Sequence, residues 1–448
     1  MTLISTQPGP GTARPYRFPQ VVRRSVKGGQ VVAAHLPGQS LAVALLLLDA
    51  GAGREPRGRE GLCAVLAKAL EEGTAQRDAT AYALAIEALG TELVTGLDWD
   101  SFQVSVQVPV DRLPAAVELM AEAVRTPRLE PDDVRRVRDD EATAQRMDWA
   151  NPGPRADAAL RADLYGVENR WGRPLYGDPD TVAGLDIEDV RVFHSEWFLR
   201  PGTLIVAGDL DRLDLDALGA AAFAGTGGGP VDRGDPIPVT PRQGRRIVLV
   251  DRPGSVQSTL RLGHPSPHRA HSDHVPMTLA GAVLGGAFTS RLNHLIREVR
   301  GYTYGIRGDF VSSRRFGRFA VSSGVQTAVT APALVEAVGE ITRTQQTGVT
   351  GEELAVARSW QAGQLSVELQ TPRAIASALT TLVVHDLPDD YYARLRESLL
   401  AAEVGEVSAA AAAHLHPESL TLVIEGDAAL IRAELATTGL GEIVTSTR

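Results

Sequence analysis

Arg297 and Tyr304 are the two side chains whose spacing could let them act together on a reacting carbonyl. Leu292, Leu295, Ile296 and Val299 recur at helical spacing, which predicts a helix with a buried stripe flanked by Arg297. Gly301 can supply the left-handed residue that ends such a helix, and Tyr304 is expected to begin the next strand. A guanidinium offers a fixed fork of donors and a phenol a single O–H. Donors aimed at a developing oxyanion are each worth roughly 10²–10³ in rate. The same residues also admit a structural reading, with Arg297 paired to Glu298 or a neighbour and Tyr304 lodged in the core.

Other chemistry-bearing residues are less organised. His264, His268, His271 and His274 fall within eleven residues, a density that could hold a metal. Pro265 and Pro267 interrupt the segment and no Cys or Glu completes a site. It is read as a solvated loop leading to a helix capped by Ser272 or Asp273. His35 and His194 have no partner in sequence. Gly285-Gly286 lacks the Gly-Lys-Ser/Thr that would make a phosphate loop. Cys63 is the one cysteine, so no intrachain disulfide can form, and its apolar surroundings predict a buried small hydrophobe.

Composition narrows the classes. The 448 residues are 44% hydrophobic and 22% charged, ordinary for a globular protein. The formal net charge of -10 argues against nucleic acid or anionic lipid as the main partner. Lys27 and Lys68 are the only lysines, so Arg carries nearly all positive charge. The longest apolar run, Leu41 to Leu48, is too short to span a membrane. Met1 to Arg24 has no apolar segment of signal-peptide type, and a cytoplasmic location is expected.

The chain reads as a duplication. Strands at 30–35 and 41–48, joined by a Pro-Gly turn, have counterparts at 246–250 and 257–262 across Pro253-Gly254. A helix follows each hairpin, 62–70 in the first half and 292–299 in the second. Leu129 to Val134 matches Val349 to Leu354, both helix starts with acidic first turns. Arg200 to Asp209 matches Pro417 to Asp427, each a buried strand closing on Gly-Asp. The fold class expected is α+β. Two homologous α/β-sandwich domains each carry a mixed, mainly antiparallel sheet with helices packed on one face. The divisions are an extended or disordered N-terminus over 1–24, a domain over 25–224, a Gly/Pro linker over 225–245 and a second domain over 246–435.

Two segments resemble the insulinase/pitrilysin zinc metallopeptidases. Leu284-Gly285-Gly286 through Ser290-Arg291-Leu292, continuing to Arg297-Glu298 and Gly301 to Tyr304, is similar to that family's segment nearly letter for letter. The resemblance implies that Arg297 and Tyr304 bind the substrate backbone and its scissile carbonyl, facing a zinc centre across a closed chamber. Gly61 to Thr74 keeps the frame of the zinc helix, Gly-Leu-x-His-x-x-Glu-His followed by Gly-Thr. Its first His is Ala64, its Glu is Ala67 and its second His is Lys68. The third ligand, a Glu farther along, aligns near Ala144, with no carboxylate within two residues. A methyl group cannot bind zinc, and an ammonium has the wrong charge.

The resemblance covers roughly residues 25 to 430. It implies a non-catalytic, substrate-binding subunit, similar to the heterodimeric processing-peptidase-like bacterial members of the family. Such a complex would cleave peptides or unfolded segments. This chain would supply Arg297 and Tyr304 to a homologous zinc-bearing partner and bind no zinc itself. The alternative is a peptidase-derived assembly or peptide-binding protein with no role in proteolysis.

Overall fold

The computed structural model describes residues 16–446 apart from Pro230, Pro236, Val239 and Pro241. Most of the segment 1–24 expected to be disordered or extended thus lies outside the described residues. The described part of the chain forms two six-stranded mixed sheets with helices against them. The first holds β1 (Val21–Val26), β2 (Gly29–His35), β3 (Leu41–Leu48), β4 (Val94–Leu97), β5 (Phe102–Pro109) and β6 (Thr203–Gly208). The second holds β7 (Arg246–Asp251), β8 (Gln257–Ser266), β9 (Ile306–Ser312), β10 (Gly317–Gln326), β11 (Thr421–Gly426) and β12 (Glu442–Thr445).

The strand orders, β1-β2-β6-β3-β5-β4 and β12-β7-β11-β8-β10-β9, superimpose position for position. β2 runs parallel to β6, and β7 parallel to β11. The hairpin turns are fixed alike. Gly38 and Gly254 adopt φ of 76° and 77°, and each donates its N–H to the Asp that ends the returning strand. Those bonds are Gly38 to Asp209 at 3.2 Å and Gly254 to Asp427 at 2.8 Å. The Gly-Asp repeat read from the sequence is therefore a turn clasp made twice. The edges differ: β1 pairs antiparallel with β2, whereas β12 joins β7 in parallel. β1 starts before residue 25 and β12 runs past 435, because each borrows its order from the neighbour it pairs with and lacks a strong pattern of its own.

Each sheet carries its own half's helices on one face, which explains the first- and second-half cores. The opposite faces are covered by exchange. Helix Pro154–Tyr165, from the first half, lies on β7, β8 and β11. Helix Pro372–Val384, from the second half, lies on β2, β3 and β6, burying Ile375, Leu379 and Leu382 against Val43, Leu45 and Ile205. With both faces covered, β3 is buried along nearly its whole length, and its continuous run of apolar residues follows. The linker is pinned: Arg233 reaches Asp49 at 3.1 Å and Asp386 at 2.7 Å. Arg314 also pairs with Asp49, at 3.1 Å, tying the second half to the first. Among the described residues no helix is long and apolar enough to cross a membrane.

Candidate functional site

The first-half helix, Leu62–Ala69, is sealed. Its free N-terminal N–H groups need acceptors, and one carboxylate outside the helix supplies them. Glu55 accepts from Gly61 N–H at 3.2 Å and Cys63 N–H at 2.8 Å. Arg170 closes on the same carboxylate at 2.5 Å, and both side chains are buried. Burial pushes the Glu55 carboxyl up from its usual range, while Arg170 opposes the rise. Cys63 is buried, its thiol directed at the Ala50 carbonyl at 3.4 Å, and burial pushes that thiol well above its usual range.

Ala64 and Ala67 are each 8% exposed, and Lys68 projects to solvent. Ala144 is an exposed residue of helix Pro131–Ala150, which packs beside this one. The donor set at the four positions is three methyl groups and an ammonium, and it does not fit a zinc ion. Glu141, nearly a turn before Ala144, instead accepts from Gln145 at 2.9 Å.

The second-half segment is open. Residues Asn293–Val299 wind as a π-helix, seen in the Arg300 N–H bond to Leu295 O at 3.0 Å. The wider turn changes the expected stripe. Leu292 and Ile296 are buried, Leu295 is half-buried, and Val299 is 58% exposed instead of buried. Gly301 has φ 66° and ends the helix as its position predicted. Tyr304 does not begin a strand. It stands two residues ahead of β9 and is 97% exposed, which excludes a core role. Arg297 makes no ion pair with Glu298, which is bonded to His294 at 3.0 Å. Its guanidinium lies over the Phe288 ring at 4.5 Å.

Arg297 and Tyr304 line one open groove of about 470 Å³. Its floor is sheet surface. Thr259 and Arg261 of β8, Ser322 and Gly324 of β10 and Arg307 of β9 line it, alternate residues along each strand presenting the same face. Phe288, Arg261 and Arg307 were not singled out from sequence, although that alternation was readable there. The neighbouring motif residue Arg291 has a structural task. It forks onto Glu353 at 2.6 and 2.7 Å, and this hydrogen bonding holds the Glu353 carboxyl down at about 2.

The histidine-rich segment is a loop only over 267–273, which leads to the helix from His274 as expected. β8 runs through His264 to Ser266, and His264 is fully buried. Its Nδ1 faces the Pro265 carbonyl at 2.9 Å and its Nε2 accepts from His416 N–H at 3.1 Å, one neutral tautomer satisfying both. Burial drives its pKa down to about 3. Asp273 precedes helix His274–Leu284 without making a side-chain cap. It meets His414 at 2.7 Å, and its own N–H bonds His271 Nδ1 at 3.1 Å. His271, Asp273 and His414 thus converge, and each serves as another's hydrogen-bond partner. His194 bonds the Val124 carbonyl at 2.8 Å, and His35 accepts from Leu210 N–H at 3.1 Å.

Two family descriptions match adjoining stretches. Insulinase (Peptidase family M16) matches residues 30–178, and Peptidase M16 inactive domain matches residues 184–359. The chain belongs to the insulinase family. Among the relatives of this insulinase-family chain is an uncharacterized zinc protease of Streptomyces coelicolor. It is 26% identical over 84% of this chain and 82% of its own length. An uncharacterized zinc protease of Mycobacterium bovis is 30% identical over 63% of this chain and 65% of its own length. Two solved structures share the fold. The peptidase M16 inactive domain from Pseudomonas fluorescens has a TM-score of 0.82 at 24% identity, covering 91% of this chain and 98% of that one. A protease from Helicobacter pylori has a TM-score of 0.83 at 18% identity, covering 92% and 100%.

Proposed function

We propose that this chain is the non-catalytic, substrate-binding subunit of a heterodimeric zinc metallopeptidase acting on peptides or unfolded segments. Arg297 and Tyr304 would be supplied to the active site of a homologous zinc-bearing partner. One observation carries the reading: a groove holds a solvent-facing phenol and a guanidinium without an ion pair among the described residues, on a chain whose zinc-helix positions hold Ala64, Ala67 and Lys68. Among the described residues neither donor is taken by a hydrogen bond or an ion pair, and Arg297 rests on the Phe288 ring alone. Arg297 would hold the peptide backbone and Tyr304 would donate to the scissile carbonyl oxygen. Zinc is expected in the partner only, as the relatives named zinc proteases make reasonable.

The test is reconstitution with a family member that retains its zinc motif, mixed at equal concentration with this chain. Tyr304→Phe should lower kcat of the complex by roughly 10²–10³ without loss of folding. Arg297→Lys should also be poorly tolerated, because a point charge does not replace a fork. Metal analysis of this chain alone should show no stoichiometric zinc. Full activity of the partner alone, or of a complex with both residues changed to Ala, would sink this reading and favour the assembly or peptide-binding alternative.

A further inference from the structure

The groove is cationic on an acidic protein. The chain has 55 acidic and 45 basic residues, yet the lining includes Arg261, Arg297 and Arg307 and no carboxylate. The three guanidinium groups are not equivalent. Arg261 is spent on Asp157 of the exchanged helix, with bonds of 2.8 and 3.3 Å. Arg297 stacks on Phe288 and has no ion pair among the described residues. Arg307 is exposed near the start of edge strand β9 and likewise forms none among them.

The nearest acid on the same strand is Asp309, and it is held back. Its Oδ1 accepts from Phe310 N–H at 2.8 Å and sits where any side chain at Gly281 would collide. Burial raises its pKa to about 6, with Arg307 a lesser, opposing influence. Two guanidinium groups therefore line the groove without an ion pair among the described residues, Arg307 exposed and Arg297 half-buried on Phe288. The ligand that fits a planar fork is a carboxylate or another oxyanion. Phe288 and Tyr304, both exposed, give the same groove apolar ring faces for the residues beside it.

We propose that Arg307, beside Arg297, forms an anion subsite that selects peptides carrying an acidic side chain, Arg297 staying on the peptide backbone. This rests on the groove being the peptide site, and it adds the substrate class and a specificity residue to that reading. Arg307 does not touch the scissile bond in this assignment. It positions the peptide through a side chain.

The isolated full-length chain suffices for the test. Fluorescent peptides of one sequence, with Glu or with Gln at a central position, are compared by anisotropy, each with a free and an amidated C-terminus. At low salt the Glu peptide should bind about tenfold more tightly than the Gln peptide, whichever terminus it carries, and the advantage should shrink at high salt. Arg307→Gln should reduce the advantage to about twofold with an unchanged melting temperature, because the exposed Arg307 forms no ion pair among the described residues and only its contact with the peptide is lost. Equal affinities for Glu and Gln, no binding of either, or unchanged discrimination by Arg307→Gln would overturn the proposal. Binding that follows the free terminus alone would overturn it too, by assigning the anion to a chain end. A Glu preference in a chain that activates no zinc-bearing partner would leave the subsite standing and remove the subunit reading. Activation without a Glu preference would remove the subsite alone.

Discussion

Two helical segments that the sequence set side by side show how a duplicated frame diverges, although helix His274–Leu284, and not Asn293–Val299, directly follows the second hairpin. In the first half, Leu62–Ala69 is a regular α-helix whose N-terminus is sealed by Glu55 and Arg170. In the second half, Asn293–Val299 is π-wound, and Arg297 and Tyr304 look into an open groove. Strand order and turn clasp are common to both halves. The frame is thus held by backbone pairing and core burial, and neither depends on the chemistry of the helix. That separation lets a half with no metal-ligating side chain at positions 64, 67 and 68 still fold.

The largest expected effect comes from breaking the seal on the first side. Arg170→Ala leaves the buried Glu55 carboxylate without its counter-charge, which should cost about 3–5 kcal/mol in denaturant unfolding. A loss below about 1 kcal/mol would mean that the two backbone N–H groups alone satisfy it. Two left-handed glycines, Gly301 at the end of the second segment and Gly73 in the turn beyond the first, sharpen the comparison. Gly301 has φ 66° with open space around a would-be Cβ, so Gly301→Ala should cost only the backbone strain, about 1–2 kcal/mol. Gly73 has φ 103°, and its Cβ would lie 2.7 Å from the Arg77 carbonyl, so Gly73→Ala should cost more. Equal melting temperatures for the two variants would show that the first-half turn can shift to make room. The smallest effect belongs to Cys63. Its thiol makes one weak bond in a closed core, so Cys63→Ala should cost about 1 kcal/mol or less and leave activity of a reconstituted complex unchanged. Rapid labelling of the native thiol would contradict the sealed helix directly.

Much of this architecture was legible in the sequence because its signals are local. Pro-Gly followed far along by Gly-Asp marked both hairpins and both returning strands, and the structure joins them by hydrogen bonds. Gly301 announced a helix end because few other residues tolerate its backbone. Ala64, Ala67 and Lys68 declared that no zinc helix survives, since ligand chemistry is a property of residue type. His264 misled, because a Pro-interrupted polar run reads as loop throughout, whereas β8 continues through Pro265 beside β10 and buries His264 before the loop begins.

Other features could only be decided in three dimensions. A period of 3.6 residues placed Val299 in the core, whereas the segment is π-wound and leaves it exposed. The exchange of helices between halves leaves no mark in either helix, because an apolar stripe does not say which sheet will cover it. Whether Arg297 would be spent on a neighbour was likewise undecidable, since ion pairs join residues far apart in the chain, as Arg261 and Asp157 do. The sequence by itself determined the duplicated frame and the loss of the metal ligands. Tertiary packing decided which guanidinium groups stay open to a ligand, because only packing brings a distant carboxylate within reach or withholds it.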